Sequence, residues 1–194
     1  LGVERIPDFM EIALDELGGD DAATLIRAKL EQVLGTTDEV VIGDELVAKI
    51  KERIATLRTG DGRRGCDMGP LVTREHCDKV TSYVAAGAAA GADLVVDGRD
   101  VVPDADGNGF FLGPTLIDNV TPEMSVYTDE IFGPVLSGVR VPSYEAGLEL
   151  INSNPYGNGT AIFTNDGGAA RRFQYEVEVG MVGVNVPIPV PMAF

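Results

Sequence analysis

Residues 130–135, EIFGPV, combine side chains that can do chemistry with residues that bend the backbone. The glycine and proline at 133 and 134 favour a sharp turn just before the apolar stretch 135–141. Such a turn directs the Glu130 carboxylate, a hydrogen-bond acceptor, and the Phe132 ring toward one rim of a cleft. The alternative is an ordinary turn into a strand, with an exposed glutamate and a phenylalanine in the core.

Asn185 is a second candidate, because it ends the apolar run GMVGVN at residues 180–185. An amide at the tip of a strand can donate a hydrogen bond to a substrate carbonyl, or it can orient a loop. The alternative is an asparagine that only begins a turn. The residues alone leave these roles open.

The chain has two cysteines, Cys66 and Cys77, and one histidine, His76. The cysteines form no CxxC or other metal-ligand spacing, and one histidine is too few for a usual zinc site. We therefore expect no metal site and two ordinary free thiols. This cysteine usage is typical of a reducing compartment, which favours the cytoplasm.

Apolar periodicity predicts the elements that must position these side chains. The predicted helices cover residues 45–57, 73–90, 143–151 and 168–177. The predicted strands cover residues 94–96, 115–120, 135–141, 160–163 and 181–186. Thr73 and Ser143 are the expected N-caps of their helices. The β-branched, apolar stretch 135–141 is expected to be a central strand.

From residue 73 onward the order is helix, strands, helix, strand, helix, strand. This alternation predicts an α/β fold with a doubly wound sheet and right-handed crossovers. Residues 39–194 are assigned to that fold. Residues 1–38 differ in character and stay unassigned, although apolar residues at helical spacing predict a helix at about 25–33.

Composition and charge restrict the possible partners. The chain of 194 residues is 44% hydrophobic, and its 31 acidic and 15 basic residues give a net charge of −16. Such a surface repels nucleic acid and anionic lipid, and no apolar run reaches membrane-spanning length. The first residues lack the pattern of a signal peptide, and a start at Leu1 suggests a fragment or a processed chain.

Longer motifs accompany EIFGPV between residues 43 and 194: GDGRRGCDMGPLVTREH, INSNPYGNGTAIFTNDGGAARRF and GMVGVNVPIPVPMAF. Together they resemble the aldehyde dehydrogenase superfamily, and within it the CoA-acylating branch that includes methylmalonate-semialdehyde dehydrogenase. The resemblance implies the fold of the catalytic domain. It also implies that Glu130 accepts hydrogen bonds from a ribose, that Phe132 lies against the nicotinamide, and that Asn185 lies near the substrate pocket.

The same resemblance implies NAD and CoA as cofactors and a small-molecule semialdehyde as substrate. In this branch methylmalonate or malonate semialdehyde is converted to propionyl- or acetyl-CoA through a cysteine nucleophile. That cysteine lies in a Gly-rich motif upstream of the helix at 45–57, but no cysteine precedes Cys66 here, and no GxGxxG motif precedes residue 45. We therefore expect a partial catalytic domain without a catalytic residue of its own, inactive in isolation.

Two other functions stay open. The chain could be a non-catalytic fragment of the same fold that serves in assembly or binding. It could instead belong to a non-acylating semialdehyde dehydrogenase, with Glu16 of the segment LDELGG as the general base. Uncovered apolar strands at 135–141 and 181–186 predict self-association.

Overall fold

The structure, a computed structural model, describes residues 39–105 and 109–187. Within these ranges the chain forms five α-helices and five strands, with 3-10 turns at Gly62–Arg64 and Gly98–Asp100. The helices are α1 (Glu39–Ile54), α2 (Arg74–Ala89), α3 (Ser125–Thr128), α4 (Tyr144–Asn152) and α5 (Gly167–Glu176). The strands are β1 (Asp93–Val96), β2 (Thr115–Asp118), β3 (Val135–Ser137), β4 (Gly159–Ile162) and β5 (Met181–Val184).

The predicted helix caps are confirmed. The Thr73 hydroxyl accepts a hydrogen bond from the backbone N–H of His76 at 3.1 Å, and the Ser143 hydroxyl accepts one from Ala146 at 3.1 Å. These side chains satisfy N–H groups that have no partner inside the first helical turn. Helix α1 covers Glu39–Ile54, so it begins and ends earlier than the predicted range of 45–57, and Gly43 lies within it.

The first unit, residues 39–140, is built on a three-stranded sheet in the order β1-β2-β3. Strand β1 is antiparallel to β2, whereas β2 and β3 are parallel and are connected through α3. The α/β class is confirmed, but the prediction of a central strand at 135–141 is wrong. Among the described strands β3 pairs with β2 alone, so it lies at the edge of the three-stranded sheet. It ends at Ser137, and its partner β2 ends at Asp118, where Asn119 turns the chain with a φ of 54°.

Two apolar clusters hold this unit together. Ile117, at 0% exposure, lies in a cluster between β2 and the helices, and Val80, also at 0%, lies in a cluster beneath α2. Ile131 and Val135 pack against both clusters. Contacts of Ile131 and Val135 with these clusters therefore hold the segment between α3 and β3 in place.

The second unit contains the described residues 141–187. Strands β4 and β5 are parallel, from the pair Gly159 and Met181 to the pair Ile162 and Val184, and α5 connects them. The core is formed mainly by Tyr144 of α4, Ile162 of β4 and Phe173 of α5, each at 0% exposure. The five strands thus divide between two sheets, a division that the sequence did not indicate.

Several sequence predictions fall outside the described ranges. They are the helix at 25–33, the alternative base Glu16 and the proline-rich end of the chain. No helix within residues 39–105 and 109–187 is long and apolar enough to cross a membrane.

Candidate functional site

The segment of residues 129–134 connects α3 to β3 and contains both sequence-predicted cofactor residues. Glu130 is exposed, and the Phe132 residue is 79% exposed. The structure therefore contradicts the alternative with a core phenylalanine, because Ile131 fills the interior position instead. Both candidate side chains therefore lie at the surface and belong to the same short segment.

Phe132 has a φ of 54°, in the left-handed region. The other non-glycine residues with positive φ in the described ranges are Asn119 and Asn185, and asparagine often adopts this conformation. For a bulky side chain the left-handed region costs about 1–2 kcal/mol. Such a conformation persists only where surrounding contacts determine it, and residues of this kind cluster at ligand sites.

One face of α2 supplies those contacts through His76, Val80 and Tyr83, which are spaced four and three residues apart. His76 Nε2 donates a hydrogen bond to the Phe132 carbonyl oxygen at 2.8 Å. Because a carbonyl only accepts, Nε2 carries the ring proton in this arrangement. The Tyr83 hydroxyl donates to Asp129 Oδ2, also at 2.8 Å.

Gly133 brings the backbone of the segment directly against α2. A Cβ at this position would lie 2.8 Å from both Val80 methyl carbons, closer than real Cβ atoms come to a neighbour. On the far side of the turn, the Thr115 N–H donates to the Pro134 carbonyl at 2.8 Å. Gly133 and Pro134 therefore fix the backbone of the turn, as the sequence indicated.

Asn185 directly follows β5 in the second unit and has a φ of 55°. Its amide oxygen accepts a hydrogen bond from the Thr164 N–H at 2.9 Å, and its Nδ2 donates to the Thr164 carbonyl at 3.0 Å. Its backbone N–H donates to the Ile162 carbonyl at 2.8 Å. The side chain thus extends the pairing of β4 with β5 and orients the loop that follows β4.

The two thiols lie in different surroundings, and both belong to the first unit. Cys77 is buried in the cluster beneath α2, with its sulfur 3.9 Å from the Phe111 carbonyl oxygen. Cys66 is half-buried; Arg58 donates to its sulfur at 3.4 Å, and Asp104 Oδ2 lies 3.9 Å from it. Among the described residues, no group of three or more His, Cys, Asp or Glu side chains could hold a metal ion.

His76 is the site residue that sequence reasoning missed. Two signals were available: its spacing from Val80 places it on the inner face of a predicted helix, and it ends the motif GDGRRGCDMGPLVTREH. The partner of its side chain is 56 residues away, and periodicity carries no information about such a contact.

The family model for the aldehyde dehydrogenase family matches residues 39–193, a range that includes the 129–134 segment. The chain belongs to the aldehyde dehydrogenase family. The resemblance inferred from its motifs is thereby confirmed.

Two relatives in this family are named for malonate or methylmalonate semialdehyde. The chain is 54% identical over 169 residues to the malonate-semialdehyde dehydrogenase of Pseudomonas aeruginosa, with 84% of this chain and 34% of the relative covered. A Dictyostelium discoideum relative, named as an acylating methylmalonate-semialdehyde/malonate-semialdehyde dehydrogenase, is 38% identical over 194 residues, with 97% and 36% covered.

A solved structure agrees with these relatives. It is described as a methylmalonate-semialdehyde dehydrogenase from Sinorhizobium meliloti 1021 complexed with NAD, and it is 48% identical to this chain with a TM-score of 0.74. The match covers 78% of this chain and 31% of that structure. This chain therefore spans about a third of the length of the relatives that it matches.

Proposed function

We propose that this chain is a portion of the catalytic domain of an NAD-dependent semialdehyde dehydrogenase of the malonate and methylmalonate type. Names of similar proteins support the substrate class, and NAD in a similar structure supports the cofactor. The observation that carries the proposal is the exposed, left-handed Phe132 beside an exposed Glu130.

The residues of the 129–134 segment fit the nicotinamide half of the cofactor. An ionised glutamate only accepts hydrogen bonds, so Glu130 suits the two hydroxyl groups of a ribose. An exposed aromatic face attracts a cationic ring, so Phe132 suits the oxidised nicotinamide. When bound, NAD accepts the hydride that leaves the aldehyde carbon during oxidation. In this proposal, Glu130 orients the ribose, and Phe132 supports the ring and excludes water from one of its faces.

Asn185 has a positioning role in the proposed substrate pocket. Both ends of its amide are engaged with Thr164, which favours loop orientation over direct donation to a substrate carbonyl. The pocket would then depend on the loop that Asn185 holds after β4.

We also propose that the whole enzyme transfers the acyl group to CoA, and the relative named as acylating supports this step. The chain supplies no nucleophile that matches the family motif, since Cys77 is buried and Cys66 lies in the loop before Met68. This also favours a second candidate, a non-catalytic portion that contributes the cofactor segment to a larger assembly. In both cases we propose the cytoplasm as the location, with a small-molecule semialdehyde as the partner of the whole enzyme.

The cofactor assignment can be tested with the two halves of NAD as separate probes. In saturation-transfer NMR with the full chain, nicotinamide mononucleotide should bind more tightly than adenosine monophosphate. Glu130→Gln and Phe132→Ala should each weaken binding of nicotinamide mononucleotide by roughly three- to tenfold, the effect of one lost polar or aromatic contact.

Matched controls in this test are Glu149→Gln and Tyr175→Ala, which change an exposed carboxylate and an exposed ring outside the 129–134 segment. Both controls should bind nicotinamide mononucleotide as the unmodified chain does. Absence of binding by the unmodified chain, or equal binding by all variants, would overturn the assignment.

A further inference from the structure

We infer that His76 is the positioning residue of the proposed cofactor segment, and that it acts through the carbonyl group of Phe132. This inference rests on the proposed function, in which the exposed Phe132 ring supports the nicotinamide. No motif of the sequence marks His76 for such a role, and the inference follows from its contact with the segment.

The hydrogen bond between His76 and Phe132 has a geometry that can fix the turn. His76 Nε2 lies 2.8 Å from the carbonyl oxygen of Phe132, the residue whose backbone is left-handed. A hydrogen bond to that carbonyl fixes the peptide plane that follows Phe132, and with it the direction in which the ring leaves the turn. Because Glu130 precedes Phe132 by two residues, the same contact limits the position of the carboxylate.

The remaining contacts show why this hydrogen bond decides the conformation. Asp129 is held by Tyr83, and Gly133 lies against Val80. These contacts hold the residues on both sides of Phe132, but Phe132 is itself 79% exposed. With so little packing on its side chain, the carbonyl bond to His76 is the direct polar constraint on the strained residue.

The backbone and the side chain of His76 make separate hydrogen bonds, so the side-chain bond can be removed by itself. Its N–H donates to the Thr73 hydroxyl at the start of α2, and a side-chain substitution leaves this cap in place. Glutamine carries an amide nitrogen at about the reach of Nε2, whereas the shorter asparagine places its amide near the position of Nδ1. His76→Gln and His76→Asn therefore form a matched pair that differs mainly in reach.

Limited proteolysis of the full chain with chymotrypsin measures the conformation of the segment without any cofactor. Cleavage after Phe132 requires local opening of the turn, and cleavage after Tyr156 is an internal reference, because Tyr156 is also exposed and is also followed by glycine. His76→Asn should raise cleavage after Phe132, relative to Tyr156, by roughly three- to tenfold. His76→Gln should restore the rate of the unmodified chain.

Gly133→Ala provides a second variant in which His76 is intact. The added methyl group meets Val80 and should displace the segment, so cleavage after Phe132 should rise here as well. Equal cleavage of the unmodified chain and His76→Asn, or equal acceleration by asparagine and glutamine, would overturn the inference.

Binding of nicotinamide mononucleotide separates this inference from the proposed function. His76→Asn should weaken binding of nicotinamide mononucleotide, and His76→Gln should retain it. If the unmodified chain binds no nicotinamide mononucleotide, the proposed function fails, while proteolysis still decides whether His76 fixes the turn. If the turn opens in His76→Asn but binding is unchanged, the positioning role is wrong.

Discussion

The Arg140 guanidinium, just beyond β3, pairs with the buried carboxylate of Asp118 at the end of β2. Its Nη2 and Nε lie 2.6 and 3.2 Å from Asp118 Oδ2, and Nη2 also lies 2.7 Å from Asp44 of α1. Hydrogen bonding to Asp118 raises the pKa of Arg140, so the arginine stays charged. This pair joins the ends of two parallel strands to the first helix of the unit.

We predict that Arg140→Met destabilises the chain by about 3–5 kcal/mol, because it leaves the Asp118 carboxylate buried without its cation. The free energy of unfolding in denaturant measures the effect. Arg171→Met is the control, since Arg171 is an exposed arginine of α5 and its substitution should leave the unfolding midpoint nearly unchanged. Equal midpoints for the two variants would contradict the prediction.

Asn185 allows backbone strain and side-chain hydrogen bonding to be separated. Asn185→Gly keeps the left-handed backbone but loses both bonds to Thr164, whereas Asn185→Ala loses the bonds and also strains the backbone. We expect alanine to be the more destabilising change by about 1 kcal/mol. Chemical unfolding and hydrogen exchange of the residue-185 amide would measure this, and equal stability of the two variants would refute it.

Asp61 should titrate at unusually low pH. Hydrogen bonds from the Arg63 side chain and backbone N–H lower its pKa from 3.8 to about 2. Because the folded pKa lies below the unfolded one, the stabilisation is present above about pH 4 and is lost as the pH falls toward 2. In a carbon-detected NMR titration, Arg63→Met should raise the Asp61 pKa. Asp97, whose pKa is lowered by a similar pairing with Arg99, is the reference that should not change.

The isolated chain should not oxidise aldehydes. Its two thiols are the buried Cys77 and the half-buried Cys66, and neither matches the nucleophile expected for the family. Malonate semialdehyde, NAD and CoA added to the chain should therefore produce no NADH absorbance. Turnover that disappears in Cys66→Ala or Cys77→Ala would show that one of these thiols is a nucleophile after all.

The chain should self-associate more strongly as salt is added. Among the described residues, β3 lies at the edge of its sheet, and an edge strand can pair with another chain. The net charge of −16 opposes association until salt screens it. Sedimentation from low to high ionic strength should show growing oligomers. Leu136→Lys, which places a charge on this edge, should reduce them, and a monomer throughout the range would contradict the prediction.

The sequence by itself determined the local structure and the family. Helix α2 and helix α4 begin where Thr73 and Ser143 predicted, because a cap depends on residues only three positions apart. The parallel pairs in the described ranges follow from the order of strands and helices. The motif EIFGPV marked the segment that holds Glu130 and Phe132, since a glycine followed by a proline favours a turn wherever the pair occurs.

Only the tertiary structure decided which residues meet across the fold. It placed Ile131 inside and Phe132 outside, moved residues 135–137 to a sheet edge, and brought His76 to the carbonyl of Phe132. It also engaged Asn185 with Thr164. These contacts join residues 21 and 56 positions apart, and the packing of whole elements selects them, whereas periodicity and capping describe only neighbours along the chain.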